Sequence, residues 1–141
     1  MRKELIPAAG ALFLLLLFVF SAGGAAAEEG EGYDENTEVT VRGAVTDVLQ
    51  GRRGPVRLRL ASAGRIYYIV TAPSWYLRRR EISFQEGAAL EVTGSKYIGE
   101  EGRIFVIARR IRDEKTGQEL FFRDPLCRPM WHGKRPPGTE R

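Results

Sequence analysis

Few residues in this chain could do covalent or metal chemistry. There is one cysteine, Cys127, and one histidine, His132, five positions apart in a Pro-containing tail. A single thiol excludes an internal disulfide framework, a CxxC redox pair and a thiolate zinc cluster, and no CxxCH haem-attachment motif is present. His132 follows Trp131 with no carboxylate pattern nearby, so neither a Cys-His dyad nor a zinc spacing is legible. With nucleophile-base and metal sets both missing, the sequence predicts a non-enzymatic protein without a metal or cofactor. Cys127 reads either as an inert thiol or as one that pairs with another chain in an oxidising compartment.

The chemistry that remains is that of arginine. From Val39 to Arg141 there are 20 basic against 11 acidic residues, and 17 of the 20 are arginine. Guanidinium groups suit planar, bidentate contacts to carboxylates and phosphates better than ammonium groups do. Six acidic residues and no basic one lie between Glu28 and Glu38. The overall charge of +4 therefore conceals two parts of opposite sign.

The elements that must position these arginines follow from the chain's organisation. Arg2 and Lys3 precede an uncharged stretch from Leu5 to Ala27 that is apolar from Ala11 to Phe20 and ends in the small-residue pair Ala25 and Ala27. This pattern predicts a signal peptide over 1–27, cleaved before Glu28, and a periplasmic or secreted protein. The alternative is an uncleaved anchor, the only case in which membrane contact is expected. Residues 28–37 read as an acidic leader or linker, 38–124 as a barrel domain, and 125–141 as an irregular Pro-rich tail.

Within the domain, Val39, Val41, Gly43 and Val45 alternate with polar or small residues, the period of a strand buried on one face. Val56, Leu58 and Leu60 alternate with Arg57 and Arg59, and a turn at Ser62 to Gly64 leads into a second hairpin strand from Arg65 to Thr71. Pro73 opens a short helix carrying Trp75, Tyr76 and Leu77, with Trp75 and Leu77 expected to plug one barrel end. A strand starting near Leu90 is expected to bend at Gly94. The turn at Gly99 to Gly102 returns the chain through Arg103 to Arg112, and a last hairpin leads to Glu119 to Arg123. The fold class is all-β: a small five-stranded OB-like Greek-key barrel with a short helix between strands 3 and 4 and an added C-terminal hairpin. An SH3-like or other small β-barrel is the alternative.

Placing Ile66, Tyr68 and Val70 inward turns Arg57, Arg59, Arg65 and Tyr67 outward, and the first loop adds Arg52 and Arg53. These six form the candidate binding face, suited to an acidic protein or a small anionic ligand. Single-stranded nucleic acid is the second reading, opposed by Glu100 and Glu101 in the loop that would flank the ligand. The same arginines also read as a solvated surface, and Tyr67 as a cross-strand packing residue.

Three stretches carry a resemblance. They are Ala72 to Leu77, with Pro73, Trp75, Tyr76 and Leu77; Glu91 to Lys96, with Val92, Gly94 and Ser95; and Arg123 to Gly133, with Asp124, Pro129 and Trp131. Together the chain resembles an exported bacterial OB-like domain of the magnetosome MamS and MamX type. It departs from that pattern at Arg128, ahead of Pro129, where a glycine is expected. The resemblance implies a small exported binding or assembly module, in some members associated with redox or iron handling. Without a haem-attachment motif, cytochrome activity does not carry over.

Overall fold

The computed structural model describes residues 32–131, so the predicted signal peptide, Glu28 to Glu31 of the leader and His132 lie outside the described residues. The strands are β1 (Glu38–Leu49), β2 (Pro55–Ser62), β3 (Arg65–Pro73), β4 (Ala89–Ile98), β5 (Ile104–Asp113) and β6 (Glu119–Phe121); one helix, α1 (Ser74–Arg79), lies between β3 and β4. Antiparallel pairing runs β3-β2-β1-β4-β5-β6, and a parallel pairing of β3 with β5 closes the first five strands into a ring. This is the expected five-stranded OB-like barrel, with β6 outside the ring as the second arm of the added hairpin.

Alternation along the strands builds the core. Val41 and Val45 of β1, Val56, Leu58 and Leu60 of β2, Val92 of β4, and Val106, Ala108 and Ile111 of β5 are all buried in one cluster. Phe122, just past β6, is fully buried among them. Ring closure demands strong coiling, and two glycines supply it. A Cβ on Gly43 would sit 2.2 Å from the Ala61 carbonyl oxygen, and one on Gly94 would sit 2.0 Å from that of Ile107. At Gly94 the β4–β5 register also slips, which is the expected bend.

Helix α1 closes one end, with a different pair of residues from that expected. Tyr76 and Leu77 are the buried pair, while Trp75 packs against the core only in part. Helical spacing puts two neighbouring residues inside, whereas the expected pairing of positions 75 and 77 suits a strand. Arg78, Arg79 and Arg80 are exposed.

The chain on either side of the strands returns to the barrel. The Asp34 amide donates to Ser95 Oγ at 3.1 Å, fastening the turn Glu35–Thr37 onto β4. After β6, Asp124 Oδ1 accepts from the amides of Leu126 and Arg128, and Arg123 bridges back to Pro129. Met130 and Trp131 then pack on the core, with Trp131 5.6 Å from the Tyr76 ring.

Candidate functional site

The register places two rows of side chains on the outer surface of β4, β5, β3 and β2. Tyr97 pairs with Phe105, Phe105 with Tyr68, and Tyr68 with Arg59. One strand position further on, Ser95 pairs with Ile107, Ile107 with Val70, and Val70 with Arg57. Directly paired side chains on one face of a sheet touch, and the first row does so along its length. Tyr97 and Phe105 stack at 5.1 Å and 8°, Phe105 and Tyr68 lie 5.3 Å apart, and Arg59 Cζ is 5.6 Å from the Tyr68 ring. In the second row, Val70 and Ile107 are buried outside the core cluster.

Two more guanidinium groups join this surface. Arg57 Cζ lies 5.8 Å from the Phe105 ring, and Arg103 Cζ lies 5.5 Å from that of Tyr68. Each is held over a π-face, where the ring quadrupole favours a cation. Arg59 also reaches Asp47 at 3.2 Å, and Arg103 reaches Glu101 at 3.0 Å. Half-exposed pairs of this kind are weak and exchangeable. A guanidinium presents five donors, so one carboxylate contact leaves capacity for a bidentate ligand. The chemistry of such a surface suits planar anions and flat groups. Burial pushes the Tyr97 phenol above its ordinary pKa, partly opposed by the Arg57 charge, so Tyr97 stays neutral here.

The six residues singled out in the sequence separate. Arg57 and Arg59 lie in the two rows, half-buried. Arg65 is exposed at the β2–β3 turn, and Arg52 and Arg53 are exposed in the β1–β2 loop. The expected phase of β3 is inverted. Tyr67 and Ile69 pack against the core, Ile66 is 42% exposed, and Tyr68 takes the outward place beside Arg59. Alternation could not decide this phase because Ile66 to Val70 is apolar or aromatic on both sides, and Val70 on the outer side is as buried as Ile69 on the inner. Tyr97, Arg103 and Phe105 were also missed. Their signal lay in the position of the Gly99–Gly102 turn, which sets Tyr97 opposite Phe105.

A second polar cluster sits where the leader meets the tail. Arg109 grips Glu38 with two hydrogen bonds, and the Tyr33 hydroxyl donates to the same carboxylate at 2.6 Å. The Arg109 guanidinium holds Glu38 below the usual carboxylate range, and burial followed by the Glu38 contact raises the Tyr33 phenol far above its own. Arg123, 3% exposed, places Cζ 5.0 Å from the Tyr33 ring and donates to the Cys127 carbonyl at 2.7 Å; burial lowers its pKa. The Cys127 thiol is pushed up by burial and then by Glu35. These contacts tie the segments just before β1 and just after β6 to the barrel. Among the described residues, no group of three or more His, Cys, Asp or Glu is placed to hold a metal ion.

A groove of about 460 Å³ runs between α1 and β6, with Tyr76, Arg80 and Ile82 on one wall and Leu120, Phe121 and Met130 on the other.

The model of the MamS/MamX magnetosome protein family matches residues 36–117, more than half of the chain and the whole five-stranded ring. The chain belongs to the MamS/MamX family. No curated protein matches it. The helix start at Pro73 to Leu77 and the Val92-Thr93-Gly94-Ser95 strand both fall inside the matched range, whereas the ending at Arg123 to Trp131 lies beyond it. Both inner stretches have structural explanations: one plugs the barrel, and the other lets β4 approach β5. At the ending, the backbone position that favours glycine is Cys127, with φ of +62°, rather than Arg128 as expected from the sequence. The tight Asp124 turn needs its left-handed residue immediately before Arg128, whose amide closes back on Asp124 Oδ1.

Proposed function

We propose that this MamS/MamX-family domain is a non-enzymatic, exported binding or assembly module. It recruits an acidic protein partner or ligand across the outer surface of β2, β3 and β5. The observation that carries this reading is the set of three guanidinium groups, Arg57, Arg59 and Arg103, held over the rings of Tyr68 and Phe105. Cations fixed on aromatic faces are pre-organised, so less rotamer freedom is lost when a carboxylate binds. Arg52, Arg53 and Arg65 lie at the borders of this surface and add long-range attraction. Periplasmic or secreted placement is part of the proposal and rests on the N-terminal charge and hydropathy pattern.

Single-stranded nucleic acid is the second reading, favoured by the consecutive rings Tyr97, Phe105 and Tyr68. Titrating hexaglutamate and an oligothymidine at several salt concentrations separates the two. The acidic-ligand reading expects hexaglutamate to bind more tightly, to weaken with salt, and to be lost in the double variant Arg57→Glu, Arg59→Glu. Tighter oligothymidine binding selects the second reading, and no binding of either at low salt overturns both.

A further inference from the structure

We infer that the groove between α1 and β6 takes an extended acidic peptide segment, which adds to the open edge of β6 as a further strand and sets a carboxylate against Arg80. The groove shares no residue with the arginine and aromatic surface proposed above. It gives the domain a second contact, made largely through backbone.

The edge comes first. β6 pairs with β5 along one side, and among the described residues no strand lies along its other side. The phase of the ladder shows which groups are left over. The Asp113 amide donates to the Gln118 carbonyl at 2.9 Å, and the Phe122 amide donates to the Arg109 carbonyl at 2.9 Å. In an antiparallel ladder, residues bonded to the partner alternate with residues whose N–H and C=O point the other way. Glu119 and Phe121 therefore direct theirs away from β5. Such a row is a template for another strand.

The groove follows that edge. Gln118, Glu119, Leu120 and Phe121 all line it. A groove on one face of a strand is lined by alternate residues, so four consecutive ones place it alongside the strand. β6 is about 10 Å long, and a paired strand lies about 4.8 Å away, within the space of about 460 Å³ that separates β6 from α1. One step beyond β6 the same chain already pairs in this way. Arg123 bridges Pro129 antiparallel, and the Met130 amide donates to the Phe122 carbonyl at 3.0 Å. A strand in the groove continues that pairing.

Side chains and charge define the occupant. Leu120 packs on the core, so a residue beside it in the added strand turns the same way, toward Tyr76, Ile82 and Met130. Residues beside Glu119 and Phe121 turn outward, where the Phe121 ring is 49% exposed. Arg80 Cζ lies 5.3 Å from the Tyr76 ring and forms no ion pair among the described residues; Arg78 and Arg79 are exposed beside it. Glu119 already faces Arg110 at 3.5 Å, which leaves Glu81 against three guanidinium groups. The balance selects an acidic segment with alternate apolar residues.

The probe is acetyl-Glu-Val-Thr-Val-Thr-Val-amide, titrated into the full chain with amide chemical shifts as readout. Two analogues carry N-methyl groups on the odd or on the even residues, which keeps every side chain and removes the donors of one edge at a time. Strand addition expects shifts at Arg80, Glu119 and Phe121, and one analogue bound about 10-fold more weakly than the other. Glu119→Gln keeps the outward N–H and should bind within about 2-fold of the parent, whereas Glu119→Pro removes it and should weaken binding about 10-fold. An unchanged unfolding midpoint shows that the proline, at the first residue of a strand, leaves the barrel intact. Arg80→Gln should weaken the probe about 3-fold and leave its glutamine counterpart unaffected. Equal binding of both analogues, no binding of the probe, or shifts confined to Arg57, Arg59 and Tyr68 overturns the inference.

Discussion

Arg109 clasps Glu38 across 71 residues of chain, with Nη2 2.6 Å from Oε1 and Nε 3.0 Å from Oε2. The contact joins the start of β1 to β5 at the irregular register beside Gly94. Both side chains are less than one-third exposed, and the Tyr33 hydroxyl completes the carboxylate's shell. Glu38 is held below its ordinary pKa, chiefly by the Arg109 hydrogen bonds. A carboxylate with a folded pKa below its unfolded one adds stability that is complete above the unfolded value and is lost as pH falls toward the folded one. Glu38→Gln is therefore expected to lower stability by about 1 kcal/mol at neutral pH. That difference narrows in urea melts at about pH 3, below the ordinary glutamate range. A difference of the same size at both pH values contradicts the assignment.

Gly94 is expected to be the most demanding glycine of the barrel. The atom a Cβ would meet is a backbone carbonyl oxygen of β5, at 2.0 Å, which cannot rotate away as a flexible side chain could. Gly94→Ala must push β4 from β5 beside the parallel closure, with an expected loss of about 2–3 kcal/mol in chemical unfolding. Gly117→Ala at the β5–β6 turn, where φ is +77° and no atom lies within 4 Å, is expected to lose only about 1 kcal/mol. Equal losses at the two positions would show that close approach is not what Gly94 serves.

Cys127 occupies a backbone position that costs a side chain about 1–2 kcal/mol. Replacing it with glycine removes that strain and adds unfolded-state entropy, so Cys127→Gly is expected to be neutral or stabilising by up to about 0.5 kcal/mol. Cys127→Val, β-branched, is expected to lose more than about 1 kcal/mol. Arg128→Gly removes the 2.9 Å contact to Asp124 Oδ2 and relieves nothing. Thermal melts of the three variants place the strained residue, and a stabilised Arg128→Gly beside a destabilised Cys127→Gly would move it.

The barrel was legible because its strands are amphipathic in a simple way. Leu58 and Leu60 between Arg57 and Arg59 could face only one way, and Pro73 before Trp75 could open only a short helix. The arginine and aromatic surface proposed for binding was half legible for the same reason. Where one side of a strand is polar, alternation identifies the outside. Where the outer side is buried too, as at Val70 beside Ile69, both phases are apolar and the pattern carries no information. Tyr68 and Phe105 become neighbours only through the parallel β3–β5 pairing, between residues 37 positions apart. The leader's anchor on Ser95 and the return of Met130 and Trp131 to the core were hidden for a different cause. Single hydrogen bonds and isolated aromatic contacts leave no periodic trace in a sequence.

The inverted phase of β3 makes two adjacent tyrosines do different work. Tyr67 packs against the core, so Tyr67→Ala is expected to lose about 2–3 kcal/mol of stability by opening a cavity at the barrel wall. It leaves Arg57, Arg59 and Arg103 in place, so hexaglutamate binding by the folded fraction should change less than about 2-fold. Tyr68 lies outside, within 5.6 Å of both Arg59 and Arg103. Tyr68→Ala is expected to lose about 1 kcal/mol or less of stability. It frees both guanidinium groups from their shared ring, so rotamer order is lost before a ligand arrives, and hexaglutamate binding should weaken about 5-fold. Tyr68→Phe keeps the ring and should restore most of that affinity. Unfolding midpoints and titrations of the same three preparations decide the matter, because a surface built on Tyr67 instead would exchange the two alanine phenotypes.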